Sequence, residues 1–241
     1  MKIIEPYVIV PKIDGKRILK NLERYARICY KSEDKTGENT AERLLASIIK
    51  RGHESVIEHE KVTVIFVCDR GISHEIVRHR IASFSQESTR YCNYSGEKFG
   101  KEITVIRPFF FEIDSREYND WKYSCSVAEE VYTRLIEICK RNPQEARSVL
   151  PHSLKTEIAV TFNIREWRHF FKLRCAFEAH PQMRQLAIPL LAYFRENIPI
   201  LFDDIPYQKY RIQFLGYFDD NFAEIRILED EDELDLQLIK D

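Results

Sequence analysis

Glycine is scarce here, and that limits the fold more than any other feature. Only seven of the 241 residues are glycine, and none falls in a G-x-G-x-x-G or P-loop arrangement. A dinucleotide bound by this chain would therefore not sit on a Rossmann turn, where glycines let the backbone approach a pyrophosphate. Side chains would have to grip it instead. No linker rich in Pro, Gly or Ser divides the sequence, and no internal repeat is visible. With 44% hydrophobic residues, the length supports one packed domain over residues 1–241.

Periodicity supplies the elements. Ile18, Leu22, Tyr25 and Cys29 share one face of a helix over 16–30. Asn39 followed by Glu42 reads as a capping box for a helix through Ile49. Val62, Val64, Phe66 and Cys68 alternate with Thr63, Ile65 and Val67, as in a well-buried strand. Asp69 then caps a short helix carrying Ile72, Ile76 and Val77. Arg78 and Arg80 fall at its C-terminal end, where cations suit the helix dipole. Trp121, Cys125, Ala128, Tyr132, Leu135 and Cys139 step by four and three along a long amphipathic helix. Its almost heptad seam suits packing within a subunit or between subunits. Ile158, Val160 and Phe162 mark a second strand. Asn163 with Glu166 reads as another capping box, opening a helix through Arg174. On that helix Arg165, His169 and either Lys172 or Leu173 share a face. Met183, Leu186, Leu190 and Phe194 mark a further helix that Pro189 should kink. The pattern implies an α+β fold, with several helices flanking a modest, mostly antiparallel sheet.

The formal net charge of −2 gives no reason to expect nucleic acid or an anionic membrane as partner. The charge is uneven, however. Residues 140–184 hold nine Lys or Arg against four Glu, which suits an anionic small ligand. Residues 201–241 hold twelve acids against four bases, and the acidic end from about 229 to 241 reads as a solvated tail. The six cysteines form no CxxC pair and mostly lie in apolar runs, as in a reduced cytoplasmic protein. No signal peptide or membrane-length apolar run is visible.

Residues 78–91 are the densest in chemistry: Arg78, His79, Arg80, Ser83, Ser85, Gln86, Glu87, Ser88, Thr89, Arg90 and Tyr91 fall within fourteen positions. That inventory suits a ligand with a phosphate and a polar ring, because guanidinium forks take phosphate oxygens two at a time. Asn163 as a helix cap can still lie beside a cofactor. His180 before Pro181 reads as a helix start. Cys175, next to Arg174, reads as a buried apolar residue and not a nucleophile. The spacing of His53 and His59 matches no common zinc pattern, and no metal is expected.

The spacing Arg78-His79-Arg80, seven residues, then Ser88-x-Arg90 resembles the signature of the flavin-dependent thymidylate synthases. The resemblance continues in Gly52-His53-Glu54-Ser55 with Glu58-His59, and in Arg147 before Val149-Leu150-Pro151. It ends in Asn163-x-Arg165, Leu173-Arg174 and His180-x-Gln182, so it spans roughly residues 40–200 in order. Two positions depart from the family pattern. Ser85-Gln86 stands where a stricter form has Asn-Glu, and His169 stands where Asn is frequent.

The resemblance implies conversion of dUMP to dTMP, with 5,10-methylenetetrahydrofolate as carbon donor, FAD as redox carrier and NADPH as reductant. It implies a cytoplasmic homotetramer whose sites are shared between subunits, with the signature segment and the 163–174 helix at one flavin coming from different subunits. Arg174 would face the pyrimidine ring, with Ser88 as its catalytic companion. Arg90, Arg147 and Ser88 would hold the 5′-phosphate, and Glu75, Arg78, Gln86, Glu87 and Thr89 would complete the dUMP site. Arg78, His79, Arg80, Ile81, Asn163 and Arg165 would hold FAD, with Gln86, His169, Leu173 and His180 alongside. His53 and Ser55 would lie at the folate and nicotinamide side. Two other classes remain open on the residues alone. One is a flavoprotein acting on a different nucleotide. The other is an RNA-binding module stacking bases on Phe84, Tyr91 and Tyr94, which the near-neutral charge disfavours.

Overall fold

The computed structural model describes residues 1–208, 212–217 and 221–227; the stretch read as an acidic tail lies outside them. The elements are β1 (Lys2–Ile4), β2 (Tyr7–Pro11), α1 (Gly15–Ile28), α2 (Thr40–Lys50), a 3₁₀ turn (Glu54–His59), β3 (Lys61–Asp69), α3 (Arg70–Ile76) and β4 (Ala82–Gln86). They continue as β5 (Thr104–Ile106), α4 (Arg116–Glu137), α5 (Pro143–Ala146), β6 (Lys155–Asn163), α6 (Ile164–Arg174), α7 (Pro181–Asn197), α8 (Pro199–Phe202), β7 (Ile212–Tyr217) and β8 (Phe222–Ile227). One sheet runs β4-β6-β3-β2-β8-β7, antiparallel where β2 meets β8 and β8 meets β7. A small second sheet pairs β1 with β5 in parallel. The α+β class read from the sequence is the one observed.

Two strand-to-helix junctions form as their cap residues dictate. Asp69 accepts from the Ile72 N–H at 2.8 Å and opens α3 straight from β3. Asn163 accepts from the Glu166 N–H at 2.8 Å and opens α6 straight from β6. Each bond satisfies a donor that the first helical turn leaves without a partner. A third cap differs from expectation. Asn39 adopts a left-handed backbone (φ 58°) and makes no capping bond. Thr40 instead exchanges bonds with Gly37, its hydroxyl lying 2.9 Å from both N and O of that residue. Pro189 sits inside α7, and the helix continues past it to Asn197.

The chain divides into two compact units. The first comprises residues 1–7, 66–78 and 85–159. Its core gathers Tyr94, Ile103, Val105, Cys125, Tyr132, Ala146 and Leu154. The α4 seam expected from the sequence contributes Cys125 and Tyr132, but Cys139 lies beyond the helix and is exposed.

The second unit comprises residues 8–65, 79–84 and 160–241. Its core is aromatic. Trp167 stacks on Phe171 at 5.6 Å, and Phe162, Phe170, Phe194 and Phe202 close around them at 4.7–5.8 Å between ring centroids. Full burial of one such ring contributes about 1.5–3 kcal/mol, so this cluster dominates the unit. Trp167 Nε1 donates to the Val62 carbonyl at 3.0 Å, which meets its polar requirement. In α1, burial follows Ile18, Leu22 and Ala26, leaving Cys29 exposed at the end. Gly15 opens α1 where a Cβ would overlap the Asn197 carbonyl oxygen.

Candidate active site

In the first unit, residues 85–91 are anchored by the acid Glu87 and the amide of Gln86. Glu87 accepts from the Tyr94 hydroxyl at 2.7 Å and from Lys155 Nζ at 3.1 Å, while its carbonyl accepts from Arg70 at 3.1 Å. Gln86 Nε2 donates to Ser73 Oγ at 2.9 Å and to Thr156 Oγ1 at 3.2 Å. Burial and the Glu87 contact push the Tyr94 phenol well above its usual range, so it stays a donor. These bonds hold the backbone on which Ser88, Thr89 and Arg90 stand. Ser88 Oγ accepts from the Arg90 N–H at 3.3 Å, and Arg147 Nη1 donates to buried Thr89 at 3.3 Å. Arg90 and Arg147 are exposed, and among the described residues neither has a carboxylate within ion-pair distance. Arg147 and Thr89 thus meet, Arg90 stands on the same turn through Ser88, and Gln86 and Glu87 act inwardly as its support. Arg78 is exposed just past α3, its N–H bonded to the Glu75 carbonyl at 3.2 Å.

In the second unit, a cavity of about 400 Å³ is lined by Glu54, Glu58, Ile81, Asn163, Arg165, Glu166, His169 and Lys172. Four of the residues expected to hold the cofactor, Ile81, Asn163, Arg165 and His169, share this one lining. Arg165 and His169 lie one helical turn apart on α6, so both face it. His79 lies alongside at 5% exposure. Its Nδ1 is 2.9 Å from Glu166 Oε1, and Arg174 Nε donates to its Nε2 at 3.2 Å. Its ring sits 5.1 Å from Phe170 and 5.6 Å from His169. Burial lowers the His79 pKa and Arg174 lowers it further, against the opposing pull of Glu166. His79, Glu166 and His169 also bring possible metal-ligand atoms within 4.8 Å of one another. Both His79 nitrogens are engaged, however, so the arrangement is a hydrogen-bonded chain and not an open ligand set.

Here the structure corrects the sequence reading of α6. Glu166 does not complete a capping box; its backbone takes the Asn163 cap and its carboxylate goes to His79. His79 and Ile81 also meet α6 within the chain.

The remaining expected residues are more dispersed. His53 and Ser55 are exposed around the 3₁₀ turn, and Arg80 and Leu173 are exposed. His180 is the N-cap of α7, its ring nitrogen accepting from the Gln182 N–H at 3.3 Å, with Pro181 at the first helical position.

Arg168 was not foreseen. It is 1% exposed, forks onto Asp204 with two bonds of 2.7 Å, donates to the Leu201 carbonyl and reaches Glu54 at 3.2 Å. Burial alone would lower its pKa, but Asp204 and Glu54 outweigh that and keep it charged. One signal was present: Ile164, Trp167, Arg168 and Phe171 occupy the i, i+3, i+4, i+7 stripe of α6, so a charge sits on the apolar face.

The described residues thus show an α+β fold with exposed arginines near Ser88 and Thr89 in the first unit and a cavity lined by Arg165 and Lys172 in the second. A family model described as "Thymidylate synthase complementing protein" matches residues 16–200. The chain is 36% identical over 200 residues to the flavin-dependent thymidylate synthase of Corynebacterium aurimucosum, covering 76% of this chain and 78% of that one. It is also 36% identical to the enzyme of that name from Pyrococcus furiosus, covering 73% and 74%. Among solved structures, a UMP/dUMP methylase, PolB, from Streptomyces cacaoi bound with 5-Br dUMP superposes with TM-score 0.68 at 22% identity, covering 84% of this chain and 96% of that one. Thymidylate synthase X from Helicobacter pylori with FAD and dUMP gives 0.65 at 23% identity, covering 83% and 98%. The chain belongs to the flavin-dependent thymidylate synthase family.

Proposed function

We propose that this chain is an FAD-dependent thymidylate synthase that reductively methylates dUMP to dTMP, with 5,10-methylenetetrahydrofolate as carbon donor and NADPH as reductant. The observation that carries the reading is the shared cavity: Ile81, Asn163, Arg165 and His169, placed together by sequence resemblance alone, line one space of ligand size. Its lining fits part of a flavin dinucleotide. Ile81 offers an apolar face, Arg165 and Lys172 offer cations for phosphate, and each carboxylate already has a basic or imidazole partner.

Bound FAD would supply the redox chemistry. The chain's own residues bind and orient. Arg90 and Arg147, with Ser88, hold the 5′-phosphate of dUMP. Arg174 points its planar donors at the pyrimidine carbonyls, stabilising negative charge that develops there; one well-aimed donor of this kind is worth about 3–4 kcal/mol. Arg165, Asn163, His169, Leu173 and Arg78 to Ile81 hold the cofactor, and His53 and Ser55 lie at the folate side. No protein nucleophile is required, and the structure gives Cys175 no means to be one, since burial pushes its thiol far up. The protein acts as a cytoplasmic homotetramer, with further site residues supplied across subunits.

The test is direct. The folded protein takes up FAD stoichiometrically, shows flavin absorbance, and forms dTMP from dUMP when both co-substrates are present. Folded protein that binds no flavin defeats the reading. Light scattering checks the tetramer, and a fully active monomer excludes it.

A further inference from the structure

Arginine carries only N–H donors and no acceptor. Arg174 Nε lies 3.2 Å from His79 Nε2, so that ring nitrogen must present its lone pair. The ring proton is then on Nδ1, which lies 2.9 Å from Glu166 Oε1. The roles follow from donor chemistry: an accepting Glu166, a neutral His79 with Nδ1–H, and a donating Arg174. With its proton on Nε2, the ring would meet Arg174 donor to donor.

The surroundings fix this arrangement. His79 and Glu166 are buried, at 5% and 8% exposure. Phe162 and Phe170 flank the imidazole at 5.8 and 5.1 Å, which limits its rotation. Arg174 is the last residue of α6, and Glu166 lies in the first turn of the same helix. The helix thus ties its C-terminal arginine to its N-terminal turn through a residue that is not part of it.

We propose that Glu166 is a positioning residue: by keeping the His79 proton on Nδ1, it preserves the Nε2 acceptor that aims the Arg174 guanidinium. This rests on the reading of Arg174 as the arginine that faces the pyrimidine. In this role Glu166 acts through His79, while its place in the lining of the cofactor cavity requires that the assays be run at saturating FAD.

The experiment compares wild type, Glu166→Ala and Glu166→Gln in two measurements. In protein labelled with 15N-histidine, wild-type His79 shows a protonated Nδ1 and a bare Nε2 near neutral pH. Glu166→Ala should move the ring toward a mixture of tautomers. In the dUMP assay, Glu166→Ala should lower kcat on the order of ten- to a hundredfold, the scale of a misaimed group. The apparent KM for dUMP should change less than about threefold, because the phosphate contacts are untouched. Glu166→Gln keeps the size of the side chain and, through its amide oxygen, an acceptor for Nδ1–H, so it should keep the wild-type tautomer and most of kcat; Glu166→Leu removes the acceptor at similar volume and serves if the alanine variant does not fold. In whichever variant folds, tautomer and kcat must move together, and one moving without the other overturns the proposal. A KM rise that accounts for the whole loss overturns it too. A wild type that binds no flavin and forms no dTMP fails the functional reading instead, and the positioning role falls with it. The histidine spectra then still decide whether the hydrogen-bonded chain exists.

Discussion

Arg90 and Arg147 in one unit and Arg165 in the other are all expected to meet a phosphate, yet their surroundings differ. Arg90 has only its own turn and the Tyr91 ring, 5.5 Å from its guanidinium. Arg147 has the Thr89 hydroxyl. Arg165 is already committed: Glu58 lies 2.5 Å from Nη1 and Glu54 3.9 Å from Nε, and the Glu58 contact raises its pKa. In the first unit Glu87 is spent on the scaffold, holding Lys155 and Tyr94, and among the described residues no carboxylate pairs with the cations beside Ser88. In the second unit, carboxylates and cations share one cavity, and an arriving phosphate must displace an acid. The difference teaches that a cluster of arginines signals anion binding only when the acids nearby are otherwise occupied. Exposed pairs such as Arg165 with Glu58 are worth about 0–1 kcal/mol, so that exchange is cheap.

The sharpest test of this contrast is Arg168→Ala. Removing this buried cation takes the fork from half-exposed Asp204 and leaves Glu54 only its longer contacts to Arg165 and Lys172, and a loss of about 3 kcal/mol of stability, the low end for a broken buried pair, is expected in denaturant melts. Arg90→Ala in the other unit should cost less than about 0.5 kcal/mol. Equal losses would mean the two units treat charge alike. Next in size is Arg174→Lys, which keeps the charge and loses the fork. It should lower kcat for dUMP by roughly a hundredfold, while Arg90→Ala should mainly raise the apparent KM. Normal turnover by Arg174→Lys at saturating ligands would remove the ring assignment. Cys175→Ala should cost about 1–2 kcal/mol of packing and retain most activity; complete loss of turnover with dUMP and flavin still bound would implicate the thiol. Glu58→Gln should tighten FAD binding a few-fold, on the order of an exposed ion pair. Weaker binding would show that Glu58 presents Arg165 to the cofactor and does not compete for it.

The smallest effect concerns pH. The His79 pKa lies below its ordinary 6.5, chiefly through burial. The unfolded chain therefore binds the proton more readily, and this residue costs no stability above pH 6.5. The cost grows as the pH falls from 6.5 toward the lower folded value. Protonation also removes the lone pair that receives Arg174. A melt series in mild acid should show a steeper decline for wild type than for His79→Gln.

Where a side chain serves its own segment, the sequence announced it. Asp69 and Asn163 cap as read, and β3 and β6 follow their alternation, because those signals are local. Asn39 failed because a left-handed backbone turned its side chain away, and Thr40 with Gly37 closed the turn instead. Glu166 was misread for a related reason: the same residue suits a cap and a distant histidine, and only tertiary structure chooses between them. Arg168 needed partners at Glu54 and Asp204, which no spacing within α6 discloses. Four of the boundaries between the two units fall inside β2, β3, β4 and β6, where no linker composition could mark them. Of the site, the four cavity residues were legible by family pattern. The inward roles of Gln86 and Glu87 were not, because anchoring and ligand-binding side chains share one vocabulary.

Gly15 constrains which sequences can wear this fold. A saturation library should lose every codon but glycine at that position. The obstacle is the carbonyl of Asn197, which every amino acid carries. Reversion by replacing residue 197 is therefore closed. A suppressor of Gly15→Ala must come from changes that shift the axis of α1 or of α7 as a whole.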